Sequence, residues 1–457
     1  MISAVKPWEI DSQPIVTHRP SRQICLILFG LTVTPFRVRS FRFQWPADLL
    51  TSWAFEMETL ILSWYVMVET GSVLLLTIFG SLQFLGTLAA PMFGVLGDRL
   101  GGRTMLCALR AMYAGFAAVL MIVALIGVLS PVWVFVLAAL AGVIRPSDLV
   151  MRNALIGETI PPPDQMGAIG LSRASADSAR VAGALTGAGL SAMLGIGSAY
   201  VFVMVFYAAS LVLTLGVSRQ RPVPDPTAAV RQVPRGVVAV GSARGSRRRE
   251  LKDGLVHVLT TPRLLAAMWL AFLINLSAYP ASHGLLPYVA RNVYHVDATG
   301  LGWLVASFAL GGLVGSITMV VTGGTRHPER TMIVHTVIWY ALLLGFAHVQ
   351  TLGAGIALLL LAGFFQNVAL ISMTAVLLAA SGEGFRGRVM GVRSLAVYGL
   401  PIGLVVAGAL IERMGYPVAI TLSSLFGLLF TAVIALKWRE SVWSALSMKE
   451  APWPRSR

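Results

Sequence analysis

Long apolar runs broken by short polar punctuation dominate this chain. A membrane-spanning helix needs about 20 mainly apolar residues, and runs of that kind fall at 46–69, 71–97, 103–128, 131–158, 166–194 and 197–217, then again at 263–290, 299–322, 331–350, 352–380, 388–411 and 416–438. The pattern predicts an all-α membrane protein with twelve transmembrane helices in two pseudo-symmetric six-helix bundles. Between the sets, residues 218–262 hold Pro222, Pro224, Pro226 and Pro234 early and Arg247-Arg248-Arg249 late, so this stretch reads as a basic linker. Its end, Arg248 to Leu259, has helix-spaced apolar residues and reads as a helix lying along the membrane surface. The predicted units are a tail over 1–45, bundles over 46–217 and 263–438, the linker, and a tail over 439–457.

Charge orients these spans. Arg37, Arg39 and Arg42, then Arg99 and Arg103, the linker, Arg326 and Arg330, Arg386 and Arg388, and Lys437 and Arg439 all fall in alternate connections. The positive-inside rule places those connections and both termini in the cytoplasm. The opposite connections are short and nearly uncharged, with Arg291 and Arg413 as exceptions. Composition agrees: 56% of residues are hydrophobic and 12% charged, against about 25% charged in soluble domains. The net charge of +15 follows from this topology and anionic-lipid attraction, so no nucleic-acid partner is expected. Cys25 and Cys107 offer neither a disulfide framework nor a metal site, and no cofactor is expected.

The apolar piece Ile24 to Thr34 is too short to span, and no small-residue cleavage site follows it. Residues 1–45 therefore read as a cytoplasmic tail, or as the product of a misplaced start codon. Weak internal symmetry is visible. Thr70-Gly71 opens the second span with Gly86 after it, and Thr299-Gly300 opens the eighth with Gly315 in the same relation. Repeats of this kind fit a transporter with a site near the midplane between related bundles.

Several motifs then stand out. Between spans two and three lies Gly94-Val95-Leu96-Gly97-Asp98-Arg99-Leu100-Gly101-Gly102-Arg103, a glycine-rich hairpin holding charges at the membrane surface, where they need water or a partner. Arg39-Ser40-Phe41-Arg42 precedes span one, Arg152-Asn153-Ala154-Leu155 lies in span four, and Arg180-Val181-Ala182-Gly183 in span five. Glu250-Leu251-Lys252-Asp253-Gly254 precedes span seven, and Arg386-Gly387-Arg388-Val389-Met390-Gly391 opens span eleven. With these motifs the chain, over residues 36–438, resembles a Major Facilitator Superfamily transporter, and more narrowly the bacterial branch of enterobactin exporters and macrolide efflux pumps. The resemblance implies the major facilitator fold and a gating role for Gly94, Asp98, Arg99, Gly101 and Arg103, with Asp98 facing the start of span eleven when the cytoplasmic side is closed. A carboxylate is stabilised at a helix N-terminus and by a nearby arginine, and Arg386 or Arg388 is the expected partner; the alternative is a solvated tight turn. Three positions depart from the family pattern. Gly102 stands where a basic residue is usual, Gly183 to Ala188 lacks the antiporter proline, and Thr322 to Arg330 lacks the aspartate.

Intramembrane charges supply the remaining candidates. Arg145, Asp148 and Arg152 share one face of span four, and Arg173, Asp177 and Arg180 one face of span five. Because the spans are antiparallel, these ladders are expected to face each other or a shared aqueous cleft, either as a structural or gating network or in contact with an acidic substrate. Glu56 and Glu58 in span one lie about 200° apart. Ser52, Glu56, Thr59 and Ser63 form a polar stripe, making Glu56 the candidate proton carrier and leaving Glu58 to pair with a neighbouring helix. His283 in span seven, near Pro280 and Gly284, is a cavity candidate or a packing residue; Gln366, Asn367 and Arg393 are weaker ones. Gly183, Gly187, Gly189, Gly403 and Gly408 read as close-approach packing positions.

Enzyme chemistry finds no support: the chain has no phosphate-binding loop, His-Glu-x-x-His or nucleophile elbow. The reading is a bacterial inner-membrane secondary transporter, functional as a monomer, exporting a small organic molecule (siderophore, drug or metabolite) by alternating access with protons as coupling ion. An uptake carrier of the same fold, or a non-transporting receptor or assembly partner, stays open as the alternative.

Overall fold

In the computed structural model, residues 34–87, 101–218, 254–382 and 385–440 are described. A 3-10 turn at Thr34–Arg37 leads into α1 (Arg39–Thr70), and then come α2 (Val73–Leu82), α3 (Gly102–Leu125), α4 (Pro131–Thr159) and α5 (Pro162–Leu215). The second half holds α6 (Pro262–Ser277), α7 (Ala298–Val321), α8 (Pro328–Phe346), α9 (Leu352–Ala380), α10 (Arg386–Ala396), α11 (Gly399–Met414) and α12 (Tyr416–Lys437). No strand occurs among the described residues. Eight helical stretches among them are long and apolar enough to cross a membrane. The first span is not in that set, in keeping with Asp48, Glu56 and Glu58 along it. At about 1.5 Å per residue, α5 is far too long for one crossing of a core about 30 Å thick. It breaks at Gly195 (φ 77°, ψ 168°), so its two limbs are the fifth and sixth spans.

Elsewhere the spans depart from plain helices for visible reasons. α1 begins at Arg39, ahead of the residue-46 start expected from hydropathy, and carries Pro46 inside it. The seventh span continues beyond α6 through π-helical turns at Pro280–Gly284 and Val289–Val293. Pro280 has no N–H to donate, and its carbonyl accepts from Leu285 N at 3.0 Å, the wider i to i+5 ring. The eleventh span is split into α10 and α11. The early part of the linker, 219–253, lies outside the described residues; its end, 254–260, is helical.

One buried cluster centres on Met57, Leu106, Tyr113 and Tyr207 of the first half, the other on Leu270, Trp339, Tyr340 and Met373 of the second, and the latter also takes in Leu60, Val73, Ala184 and Ala188 across the joint. The halves meet chiefly where α2 packs on α11 and where α5 packs on α7. Large apolar side chains such as Trp133, Leu140, Trp269, Ile317, Leu429 and Leu436 are exposed on the outer faces, the arrangement a bilayer requires.

The internal symmetry has a packing counterpart. A Cβ at Gly86 would lie 1.9 Å from Val143 O, and one at Gly142 would lie 2.0 Å from Leu82 O, so spans two and four touch backbone to backbone. In the second half a Cβ at Gly311 would lie 1.9 Å from Leu360 O, at Gly363 2.0 Å from Phe308 O and at Gly315 2.9 Å from Phe364 O. Spans eight and ten therefore repeat the contact of spans two and four.

Candidate functional site

The polar stripe of α1 is where the arginines of spans four and five converge. Arg152 Nη1 donates to Ser52 Oγ (2.9 Å), Arg180 Nε to Glu56 Oε1 (3.4 Å), and Arg145 Nη2 to Thr59 Oγ1 (3.4 Å). Each step along α1 of four or three residues thus receives one arginine. Packing makes this possible: Cβ atoms at Gly183 and Gly187 would come within 2.7 Å of Glu56 Cβ and 3.0 Å of Met57 Cα. Span five therefore lies directly on α1, and hydrogen bonds from Trp45 to Ser175 (2.8 Å) and Trp53 to Thr186 (2.9 Å) fix its register. Gly189 is not a close-approach position, since its surroundings are open; Gly403, facing Leu276 O, and Gly408, facing Thr77, are.

The two ladders do not pair with one another. Among the described residues no ion pair joins span four to span five; Arg152 holds Asp148 at 2.5 Å within its own helix, and Arg173 holds Asp177 at 3.7 Å within its own. Both turn to α1 instead, because α1 lies between their charged faces and supplies the acceptors.

Beneath the stripe sits a denser network. Asp48 pairs with Arg110 of α3 and lies 3.6 Å from Arg152; Arg110 is fully buried and also donates to Thr214 Oγ1 of the sixth span. Asp48 O and Ser52 Oγ both accept from Arg152, and Gln44 Nε2 donates to Arg152 O at 3.1 Å. Four spans of the first half are thereby tied through two carboxylates and two guanidinium groups. Arg145 instead donates to Gln83 Oε1 (2.7 Å) and lies over the Phe55 ring. Glu58, on the other side of α1, accepts from Tyr207 OH at 2.8 Å, and Tyr207 stacks on Tyr113.

The second half offers a mostly neutral wall. His283 packs on Tyr279 (5.1 Å between centroids) and edge-on against Phe308 (4.7 Å), and its Nδ1 has no partner. Gln366 Nε2 donates to Tyr279 OH at 2.7 Å, and Asn367 Nδ2 to Gly312 O and Ser316 Oγ. Arg180 stands within electrostatic reach of both Tyr279 and His283, and Arg173 and Arg393 of Tyr279.

Of the expected gate, Gly94, Asp98 and Arg99 lie outside the described residues. Gly101 takes φ 83° at the start of α3. Arg103 Nη2 donates to Leu215 O at 2.6 Å, placing a cation on the last carbonyls of the sixth span, where the helix dipole favours it. Arg386 is exposed, whereas Arg388 is half-buried with its guanidinium 5.1 Å from the Phe385 ring. No group of His, Cys, Asp and Glu that could hold a metal occurs among the described residues.

A family model for the Major Facilitator Superfamily matches residues 45–323 and 268–452. The chain belongs to the Major Facilitator Superfamily. It is similar to the multidrug efflux pump Tap of Mycolicibacterium fortuitum, 26% identical over 369 residues, which cover 77% of this chain and 84% of Tap. Solved structures show the same fold at low identity. A bacterial homologue of the human lysosomal transporter Spinster, in an inward-facing and unoccupied conformation, gives a TM-score of 0.62 at 13% identity over 89% of this chain and 98% of its own. A POT family transporter in complex with 5-aminolevulinic acid gives 0.65 at 11% identity over 88% and 96%.

Within this Major Facilitator Superfamily transporter, sequence reasoning passed over Asp48, Arg110, Gln83 and Thr214. Arg110 could have been found: a lone arginine inside the apolar run Met105 to Ala118 is a charge that needs a partner. Asp48 lies only two residues inside the hydropathy-defined start of span one at 46; the earlier start of α1, at Arg39, places it well within the helix.

Proposed function

We propose that this transporter exports a small organic molecule across the bacterial inner membrane by alternating access of its two halves, coupled to protons. The observation that carries the reading is the Arg180–Glu56 pair on the face of the first half that looks toward Tyr279 and His283 of the second. Gain of a proton on Glu56 breaks that pair and its loss restores it, and substrate passing between the halves meets the same arginine. The likeness to an efflux pump over most of both chains supports export, and the basic connections support cytoplasmic termini. Asp98, paired with Arg386 or Arg388, closes the cytoplasmic side in the complementary state. The protein works as a monomer, since each chain supplies both halves.

The test is flux in proteoliposomes under an imposed pH gradient, with candidate compounds drawn from those whose toxicity rises on deletion of the gene. Parent protein moves substrate against its gradient only when the proton gradient is present. Glu56→Gln keeps substrate exchange and loses gradient-driven accumulation. Accumulation by Glu56→Gln at the parent rate removes Glu56 from the coupling.

A further inference from the structure

At the end of the molecule where α1 turns into α2, the second half grips the first from two sides. Arg291, at the end of the seventh span, donates through Nη1 to the carbonyls of Met67 and of Val68, the latter at 3.1 Å. Both carbonyls belong to the last turn of α1; that of Met67 also accepts from Gly71 N at 3.1 Å, while that of Val68 lies among the last acceptors of the helix, which lack i+4 donors. Glu412 of α11 accepts through Oε1 from Ser72 Oγ at 3.0 Å and lies 3.4 Å from Leu74 N, in the first turn of α2, where the orphan groups are donors. Gly71, at φ 64° and ψ −3°, makes the reversal that sets these two helix ends side by side.

The signs are matched to the ends. A cation meets the negative end of α1 and an anion meets the positive end of α2, the arrangement the helix dipoles favour. Neither side chain forms an ion pair among the described residues, and neither contributes to the network around Asp48. Arg291 also contradicts the charge bias that leaves this side of the chain nearly free of basic residues; a use at the joint accounts for it. Arg291 is half-buried, whereas Glu412, like Arg413 and Glu69, lies at the exposed rim of this end.

We propose that Arg291 and Glu412 form a two-arm latch that shuts the outer mouth by clamping the α1–α2 turn, and that both arms release each time the transporter opens outward. The latch rests on the alternating-access reading. It is separate from the proton-carrying stripe, so the two can fail independently.

The test uses the full chain in membranes with Cys25→Ser and Cys107→Ala, carrying Ser63→Cys on the α1 stripe near this end, and measures labelling by a membrane-impermeant maleimide from outside. Arg291→Gln and Glu412→Gln each raise the labelling rate about two- to fivefold, the population shift that one charge at a helix end supplies. Ser72→Ala, which leaves the carboxylate in place, raises it less, and serves where Glu412→Gln fails to reach the membrane. Rates unchanged in all three variants overturn the latch. Raised rates in a chain that moves no substrate uphold the latch and overturn the transport reading instead.

Discussion

Asp48 stands between Arg110 and Arg152, and its removal gives the sharpest test of the network. In Asp48→Ala, Arg110 keeps only Thr214 Oγ1 as a partner while remaining fully buried. An orphaned buried charge of this kind costs about 3–5 kcal/mol. Asp148→Ala is milder, because Arg152 still has Asp48 at 3.6 Å and Ser52 at 2.9 Å, so the loss is about 1–3 kcal/mol. Removing both partners of the buried pair, as Asp48→Leu with Arg110→Met, leaves no uncompensated charge and returns stability to within about 2 kcal/mol of the parent. Thermal unfolding of the purified protein in detergent, followed by tryptophan fluorescence, ranks the three. The expected order of melting temperature is parent, then the double variant or Asp148→Ala, then Asp48→Ala well below. If Asp148→Ala melts as low as Asp48→Ala, or the double variant melts as low as Asp48→Ala, the keystone role of Asp48 is wrong.

Asp98→Asn is expected to lower initial transport rates in vesicles while leaving expression intact; unchanged rates remove its gating role. Gly311→Ala forces a Cβ against Leu360 O inside the second half, and overpacking there lowers stability by about 1–3 kcal/mol, readable as a lower melting temperature. Gly302→Ala meets Ala188 Cβ across the joint between halves, so its effect is expected in the distribution of conformers, seen by distance measurements between spin labels on the two halves, more than in melting. For Arg145→Ala, weakened affinity for an identified substrate is the outcome expected of a cavity arginine; full affinity assigns Arg145 to structure alone.

Much of the site was legible before the fold. Ser52, Glu56 and Thr59 read as one stripe from the sequence because helical spacing is local, and Arg145, Arg152 and Arg180 stand out because charges in apolar runs need a reason to be there. What spacing could not supply was the partner. Two ladders on antiparallel neighbours could face each other or a shared cleft, yet Arg145, Arg152 and Arg180 reach α1, because helix rotation about its own axis is set by packing at positions such as Gly183 and Gly187 and not by the ladder itself. Asp48 was hidden for a related reason. Hydropathy marks where apolar residues begin, whereas the helix began a full turn or more earlier, at Arg39.

The number and order of the spans and their grouping into two related halves could be read from contiguous residues alone. These depend on segment length, hydropathy and charge, which are properties of contiguous residues. The tertiary structure alone decided that Asp48 meets Arg110, that three arginines share one stripe, and that Arg291 and Glu412 reach across to opposite helix ends. Those pairings join residues far apart in the chain, and only the packing of the helices against one another brings them within hydrogen-bonding distance.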